Sequence, residues 1–208
     1  MNNLSEHWDN IYKNKPDEKL GWHEKEFSKM TEFLHLVPDW DSANIFVPGI
    51  GTSGFVDILS KTKGKLFLND ISKEALEKAK GKHHGDGRNI QWLCQDICEE
   101  LRIEEKIDIW IDRAVLHFLV EEIDIQGYFR NLTRVVRNGG YAIFAEFSKK
   151  GADSCAGLKV KRYDIDDFQK HLGDFDLLRS EELDYTNPRG DSRPYIYAMF
   201  KRKERDAV

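Results

Sequence analysis

Long apolar runs are missing from this sequence. No stretch approaches the roughly 20 apolar residues that a membrane-spanning helix needs, and the opening Met1-Asn2-Asn3-Leu4-Ser5-Glu6-His7-Trp8 carries no signal-peptide core. A cytoplasmic address with no membrane partner is the expectation. Cysteine is scarce: three residues, Cys94, Cys98 and Cys155, in a chain of 208. That is too few for a disulfide scaffold and fits a reducing compartment. Cys94 and Cys98 have no second ligand pair nearby in sequence, so no metal site is expected. An excess of positive charge is absent as well. The formal net charge is −5, which gives no global reason to expect nucleic-acid binding. Low-complexity linkers and internal repeats are also absent. A single domain over 1–208 follows, with 1–40 read as an N-terminal helical cap over the site and 41–208 as an α/β core.

What is present is an alternation of helix-like and strand-like segments. Residues 5–14 and 24–37 read as helices; in the second, Phe27, Met30, Phe33, Leu34 and Val37 recur at helical spacing and Pro38 ends the run. Strands are expected near 44–48, 65–70, 89–95, 107–112 and 140–147. Helices are expected over 54–62, 72–82 and 124–137, with Ser72 as an N-cap and Asn138-Gly139-Gly140 closing the last. Such alternation implies a parallel sheet with helices on both faces. The tail changes rhythm. Asp164 is placed as the cap of a short helix reaching Leu172. Strands over 175–183 and 195–200 then form an antiparallel hairpin on the sheet edge. Asn187-Pro188 between them reads as turn chemistry, and 201–208 as a solvated, frayed end.

The most informative stretch is Asn44-Ile45-Phe46-Val47-Pro48-Gly49-Ile50-Gly51-Thr52-Ser53-Gly54. An apolar strand breaks into close glycines, and helix-forming sequence follows. That order sets backbone amides beside a space that no side chain fills. About 20 residues on, a second apolar run ends in Asp70, where an acidic residue in an open α/β sheet meets the hydroxyls of a ribose. The pattern is that of a nucleoside site. Gly49-x-Gly51-x-x-Gly54 also matches the dinucleotide fingerprint literally, so an NAD(P)-dependent oxidoreductase is a competing reading. Against it stand the short chain, Pro48 directly before the first glycine, and the C-terminal hairpin.

Taken whole, the chain resembles the class I S-adenosylmethionine-dependent methyltransferases, which implies a Rossmann-like, seven-stranded, mostly parallel sheet ending in an antiparallel strand. Val47-Pro48-Gly49-x-Gly51, Trp22-His23 and Trp110-Ile111-Asp112-Arg113-Ala114-Val115-Leu116 are similar to motifs of the thiopurine and thiol methyltransferase-like branch, and Cys155–Tyr163 resembles a block in uncharacterised bacterial relatives. The resemblance implies S-adenosyl-L-methionine as cofactor. Gly49 and Gly51 would let the backbone approach it, with Pro48, Thr52 and Ser53 in the same turn. Asp70 would accept the ribose hydroxyls and Ile71 would pack on the adenine. Asp96 would accept the adenine amino group, with Ile97 on the other ring face. Two departures stand out: Val47 occupies the position where many of these enzymes have an acid, and Ser53 that of their third glycine. The methionine end of the cofactor is therefore expected to be held by other residues.

Methyl transfer from a sulfonium is an in-line displacement that needs alignment, water exclusion and an unprotonated nucleophile. Asp112-Arg113-Ala114-Val115-Leu116-His117-Phe118 sits where the reacting end would lie. Asp112 reads either as a contact to cofactor or substrate, or as half of a strand-end ion network with Arg113, and Arg113 either as a contact to the cofactor or to an anionic substrate, or as the other half of that network. His117 reads either as a base or as a packed helix residue. Trp8, Tyr12 and Trp22, with His23, would close over the cofactor, the indole and phenol faces favouring a cation; ordinary packing is the alternative for Trp8 and Tyr12. The basic segment 148–162 reads either as a substrate lid that admits anionic acceptors through Lys149, Lys150 and Arg162, or as a solvated loop with no role. The expected acceptor is a small molecule, with thiols and other soft nucleophiles foremost. A protein lysine and a non-enzymatic, cofactor-binding role are the alternatives.

Overall fold

A computed structural model describes residues 3–24, 26–83, 89–187 and 190–204. Pro188, part of the expected turn, and 205–208, part of the expected frayed end, lie outside the described residues. Along the chain run α1 (Asn3–Asn14), α2 (Ser28–Leu34), β1 (Ile45–Val47), α3 (Phe55–Leu59), β2 (Leu66–Asp70), α4 (Lys73–Lys82), β3 (Ile90–Cys94) and β4 (Ile107–Arg113). They are followed by α5 (Glu122–Val135), β5 (Val136–Phe147), β6 (Ser154–Cys155), β7 (Leu158–Lys159), α6 (Ile165–Gln169), β8 (Phe175–Thr186) and β9 (Ser192–Arg202). No described helix is long and apolar enough to cross a membrane.

Seven strands form one sheet in the order β3-β2-β1-β4-β5-β9-β8. The first five run parallel, and β9 is antiparallel to both β5 and β8. The sheet is the one the sequence implies, with helices on both faces. Central strands read as near-continuous apolar runs because both their faces are covered. Ile45, Val47, Leu66, Leu68, Ile109, Ile111 and Ile143 meet α2 and α3 through Met30, Phe33, Leu34, Phe55 and Leu59. The alternate residues Phe46, Phe67, Trp110, Ala142 and Phe144 meet α5 and α6 through Ile125, Tyr128, Leu132 and Phe168. Each strand thus feeds two cores by its period of two.

The strand order reverses between β1 and β4, parallel neighbours in the sheet whose connections leave to opposite sides. That switch point opens a crevice outside the carboxyl ends of the strands. α1 is fastened beside it. Asp9 Oδ1 accepts from Ser72 Oγ at 2.6 Å and from the Glu74 amide at 3.1 Å, while Ser72 Oγ accepts from the Ala75 amide at 3.1 Å. Ser72 is the N-cap foreseen, with a carboxylate from another helix behind it.

Several boundaries differ from expectation for physical reasons. The helix over 24–37 is confined to Ser28–Leu34, because Trp22, His23 and Glu24 are drawn into the crevice wall. Asn138-Gly139-Gly140 does not close α5. The helix ends at Val135 and the strand starts at Val136, with the glycines in an irregularity of β5 where the pairing with β4 shifts and Gly139 takes φ +71°. Lys201 and Arg202 belong to β9, and Arg202 Nη1 donates to Thr133 O at 2.6 Å, which removes the start of 201–208 from the frayed end.

Candidate active site

The turn after β1 is tight. Gly49 and Gly51 take φ +52° and +55°, the left-handed region that glycine enters without a Cβ penalty. A Cβ on Gly49 would sit 2.2 Å from Val115 Cγ2, and one on Gly51 would sit 2.5 Å from Tyr12 Oη. Both positions therefore favour glycine by backbone, and a Cβ at either would have to displace the side chain that covers it. Asp70, at the end of the neighbouring β2, reaches across. Its Oδ2 accepts from the Gly51 amide at 2.8 Å and its Oδ1 from the Ser72 amide at 2.8 Å. The Gly51 amide is thus spent on Asp70 and does not face open space, a correction to the sequence reading. Burial pushes the Asp70 carboxyl up to about 6 against the pull of those two amides.

A cleft of about 770 Å³, counted to its open mouth, lies above this turn. The structure brings Trp8, Tyr12, Trp22, Gly49, Asp70, Ile71, Asp96, Ile97, Arg113 and His117 together in its wall. Pro48, Thr52 and Ser53 line an adjoining cavity instead, one that shares Tyr12, Trp22, Gly49 and Arg113 with the first. Gly51 lines neither, lying beneath Tyr12. Trp8 packs edge-on against Trp22 and Phe118, with ring centroids 5.5 and 4.8 Å apart. Trp8 and Tyr12 also form a buried cluster with Leu20 and Ala75, so packing and cleft lining coincide in the same residues.

Asp112 does not line either cavity. Fully buried, it accepts from Tyr128 Oη at 2.6 Å, the Val115 amide at 3.1 Å and the Leu116 amide at 3.2 Å. Its register explains the outcome: Asp112 belongs to the strand face that meets α5, where Trp110 Nε1 donates to the same Tyr128 hydroxyl at 2.8 Å. The ion network with Arg113 does not form either, because Arg113 Nη2 pairs with Glu24 Oε2 at 2.7 Å.

His117 is held in place rather than merely packed. Its ring stacks on Phe147 at 4.7 Å, its Nδ1 lies 2.6 Å from Glu146 Oε2, and its Nε2 has no hydrogen-bond partner among the described residues. Glu146 Oε2 also accepts the His117 amide at 3.1 Å. Burial pushes Glu146 up to about 8 and His117 down to about 3, and burial, aided by the facing Glu146, holds Asp112 well above the carboxylate range. The histidine–glutamate contact at neutral pH is accordingly a neutral pair and not an ion pair.

Sequence reasoning missed Glu146 and Glu24. A signal for the first exists: Ala142-Ile143-Phe144-Ala145-Glu146-Phe147 sets one carboxylate inside an otherwise apolar strand. Glu24 was hidden inside an expected helix. The basic segment 148–162 does not present its charges to the cleft. Lys149 pairs with Asp167, Lys150 with Glu182 at 2.6 Å, and Arg162 Nη1 donates to Lys149 O at 3.2 Å. What reaches the cleft from this segment is Cys155, from the small β6–β7 hairpin.

Residues 47–144 match the family described as a methyltransferase domain. Phosphoethanolamine N-methyltransferase 1 of Zea mays is 29% identical over 119 residues, 55% of this chain and 23% of that protein. The chain therefore corresponds to about a quarter of the length of that relative. Among solved structures, a SAM-dependent methyltransferase from Anabaena variabilis superposes with TM-score 0.78 at 16% identity, covering 96% of this chain and 93% of that one. The N-methyltransferase NodS from Bradyrhizobium japonicum, in complex with S-adenosyl-L-homocysteine, gives 0.74 at 16% identity over 98% and 100%. At such identities the likeness is one of fold.

Proposed function

We propose that this chain is a class I S-adenosylmethionine-dependent methyltransferase, a reading that its domain match and its fold support, and that it methylates a small molecule that carries a protonated nucleophile and an anionic group. The observation that carries the reading is the sharing of one cleft by Asp70, Gly49 and a histidine whose Nε2 has no hydrogen-bond partner among the described residues. S-Adenosylmethionine supplies an electrophilic methyl group on a positively charged sulfur and leaves as a neutral thioether. The protein's own groups bind, align and take up a proton. Asp70 would accept ribose hydroxyls on lone pairs not used by Gly51 and Ser72. Ile71 and Ile97 would flank the adenine, and Asp96 would meet its amino group. Trp8, Trp22 and Phe118 exclude water from the far wall, which strengthens alignment and every polar contact inside.

His117 is the base in this reading. With Glu146 protonated, the histidine–glutamate pair holds two protons and Nε2 carries one of them. Loss of a proton from the pair leaves Nδ1–H donating to Glu146 and frees the Nε2 lone pair to accept from the nucleophile. A thiol or an amine is the acceptor type that such a base serves. The rim favours an anionic molecule over a lysine-bearing peptide, because Lys15, Lys19 and Arg193 line the recess that continues past Trp22, Cys155 and Tyr195. Phosphoethanolamine, in the name of the maize relative, is an amine with an anionic group and so of this kind. Thiols, the acceptors of the branch that the sequence resembles, satisfy the same demands when they carry a carboxylate.

The test is turnover. Incubation with S-adenosylmethionine and a panel of anionic thiols and amines should give S-adenosylhomocysteine together with a methylated acceptor. Cationic peptides turned over in preference to anionic small molecules would contradict the assignment of the acceptor.

A further inference from the structure

Lys15, just past the end of α1, Lys19, in the short turn Asp17–Lys19, and Arg193, in β9, come from opposite ends of the chain and line one recess. No acidic side chain stands in its wall among the described residues. Both lysines are exposed, and neither makes an ion pair with a described residue. The carboxylate paired with Arg193 is Asp191, 3.4 Å from Nη2. Acids outnumber bases in this chain, 37 to 32, so three cations on one wall run against its composition. Like charges brought together also work against folding. The carbonyl end of α1 offsets Lys15 in part, but it does not account for Arg193 beside it. Three cations against one carboxylate leave two charges for a ligand to meet.

The recess opens on the main cleft, since Trp22, Cys155 and Tyr195 line both. Phe147, in the recess wall, stacks on the His117 ring with centroids 4.7 Å apart, so the recess comes within one ring of the histidine. Arg193 acts on this boundary. Burial pushes the Cys155 thiol up, and the nearby guanidinium pulls it back.

We propose that the recess seats a doubly charged oxyanion on Lys15, Lys19 and Arg193, as the anionic end of a methyl acceptor whose nucleophile reaches the main cleft past Cys155 and Tyr195. Phosphate monoesters and dicarboxylates share this chemistry. A monoanion meets only part of the charge. Arg193 is the geometrically selective member, because a guanidinium can meet two oxygens with parallel bonds while the lysines act as point charges. That the bound group belongs to the acceptor rests on the methyl-transfer reading; the binding itself does not.

Calorimetric titration near pH 7.5 with inorganic phosphate, succinate and acetate tests it, the first two being largely dianions there and the third a monoanion. The native protein should bind the better dianion at least about fivefold more tightly than acetate, the worth of one further charge pair at about 4 Å in water. Phosphate ahead of succinate assigns a phosphate monoester, and the reverse order a dicarboxylate. The triple change Lys15→Gln, Lys19→Gln and Arg193→Gln should bring all three anions within about twofold of one another. It should keep the melting temperature within about 2 °C, as exchanges of exposed and half-buried cations do. Acetate bound as tightly as both dianions by the native protein would overturn the proposal without recourse to any variant. A dianion preference that survives the triple change would overturn it too, by placing the anion elsewhere. Parallel titration with S-adenosylhomocysteine separates the two readings: its failure to bind removes the methyl-transfer reading and leaves the anion result standing, whereas its binding without dianion preference removes the recess assignment alone.

Discussion

At the scale of single residues, the site is a set of buried polar atoms whose partners decide what they can do. Asp70 is committed to two backbone amides and retains lone pairs for a ligand. Asp70→Asn keeps the shape but loses the charge and one acceptor; it should weaken S-adenosylhomocysteine about 10- to 100-fold by calorimetry, the range for bonds to a charged group. Asp112→Asn should leave that affinity within about threefold, because Asp112 faces Tyr128 and not the cleft. Equal losses would show that the two carboxylates have been assigned the wrong way round. His117 and Glu146 set the pH profile. With Glu146 pushed up to about 8, the pair sheds the proton that blocks Nε2 only as the pH rises towards that value. The transfer rate should therefore climb to a plateau above about pH 8. Glu146→Gln should remove the inflection, and a wild-type rate flat from pH 6 to 9 would exclude His117 as the base. The sequence made Asp70 legible because the acid ends an apolar strand at a fixed distance from close glycines. It left Glu24 and Glu146 unread because each acts through a partner remote in the chain, Arg113 and His117.

At the scale of elements, regular packing was easier to read than the joints. The apolar runs of β1, β2 and β4 and the cap at Ser72 follow from local chemistry, and the structure has them. The α5–β5 joint was misread because Asn138-Gly139-Gly140 has the composition of a helix stop, while pairing with β4 captures the chain two residues earlier, at Val136. Close approach of elements also reverses a general rule. Gly→Ala inside a helix ordinarily stabilises by up to about 1 kcal/mol. In α5, a Cβ on Gly127 would lie 2.3 Å from Cys98 O, a backbone atom that cannot swing away. Gly81 in α4 has nothing within 4 Å of its Cβ position. Gly127→Ala should therefore lower the urea midpoint and Gly81→Ala should raise it. A stable Gly127→Ala protein would mean that the 98–100 loop is free to shift.

At the scale of the whole molecule, the site loads the fold with acids that hold protons they would release when unfolded. Asp70, Asp112 and Glu146 are all raised by burial. A raised acid contributes stability that is complete below its unfolded pKa and lost as the pH climbs through the folded one. His117, depressed to about 3, acts in the opposite sense below about pH 6.5, where the unfolded imidazole charges. Above that value the acids act alone. Ligand-free protein should lose stability between about pH 7 and 8.5, with a slope of up to ~1.4 kcal/mol per pH unit for each proton released. Thermal melting across that interval measures it; Glu146→Gln should flatten the slope, and a melting temperature that rises with pH would contradict the buried-acid picture. The mostly parallel sheet with its antiparallel edge hairpin, and the position of the cleft, were legible from alternation and from the break after β1. Side chains from α1, the β6–β7 hairpin and β9 meet in the cleft wall, and no local pattern brings them together.

The central claim is that the crevice between β1 and β4 holds an adenosine clasped by Asp70. A crystal structure grown with S-adenosylhomocysteine tests it most directly. The account predicts both ribose hydroxyls on the Asp70 carboxylate, the adenine between Ile71 and Ile97, and the thioether sulfur on the side of His117. Density for the nucleoside anywhere else, or an empty cleft at saturating ligand, would contradict it.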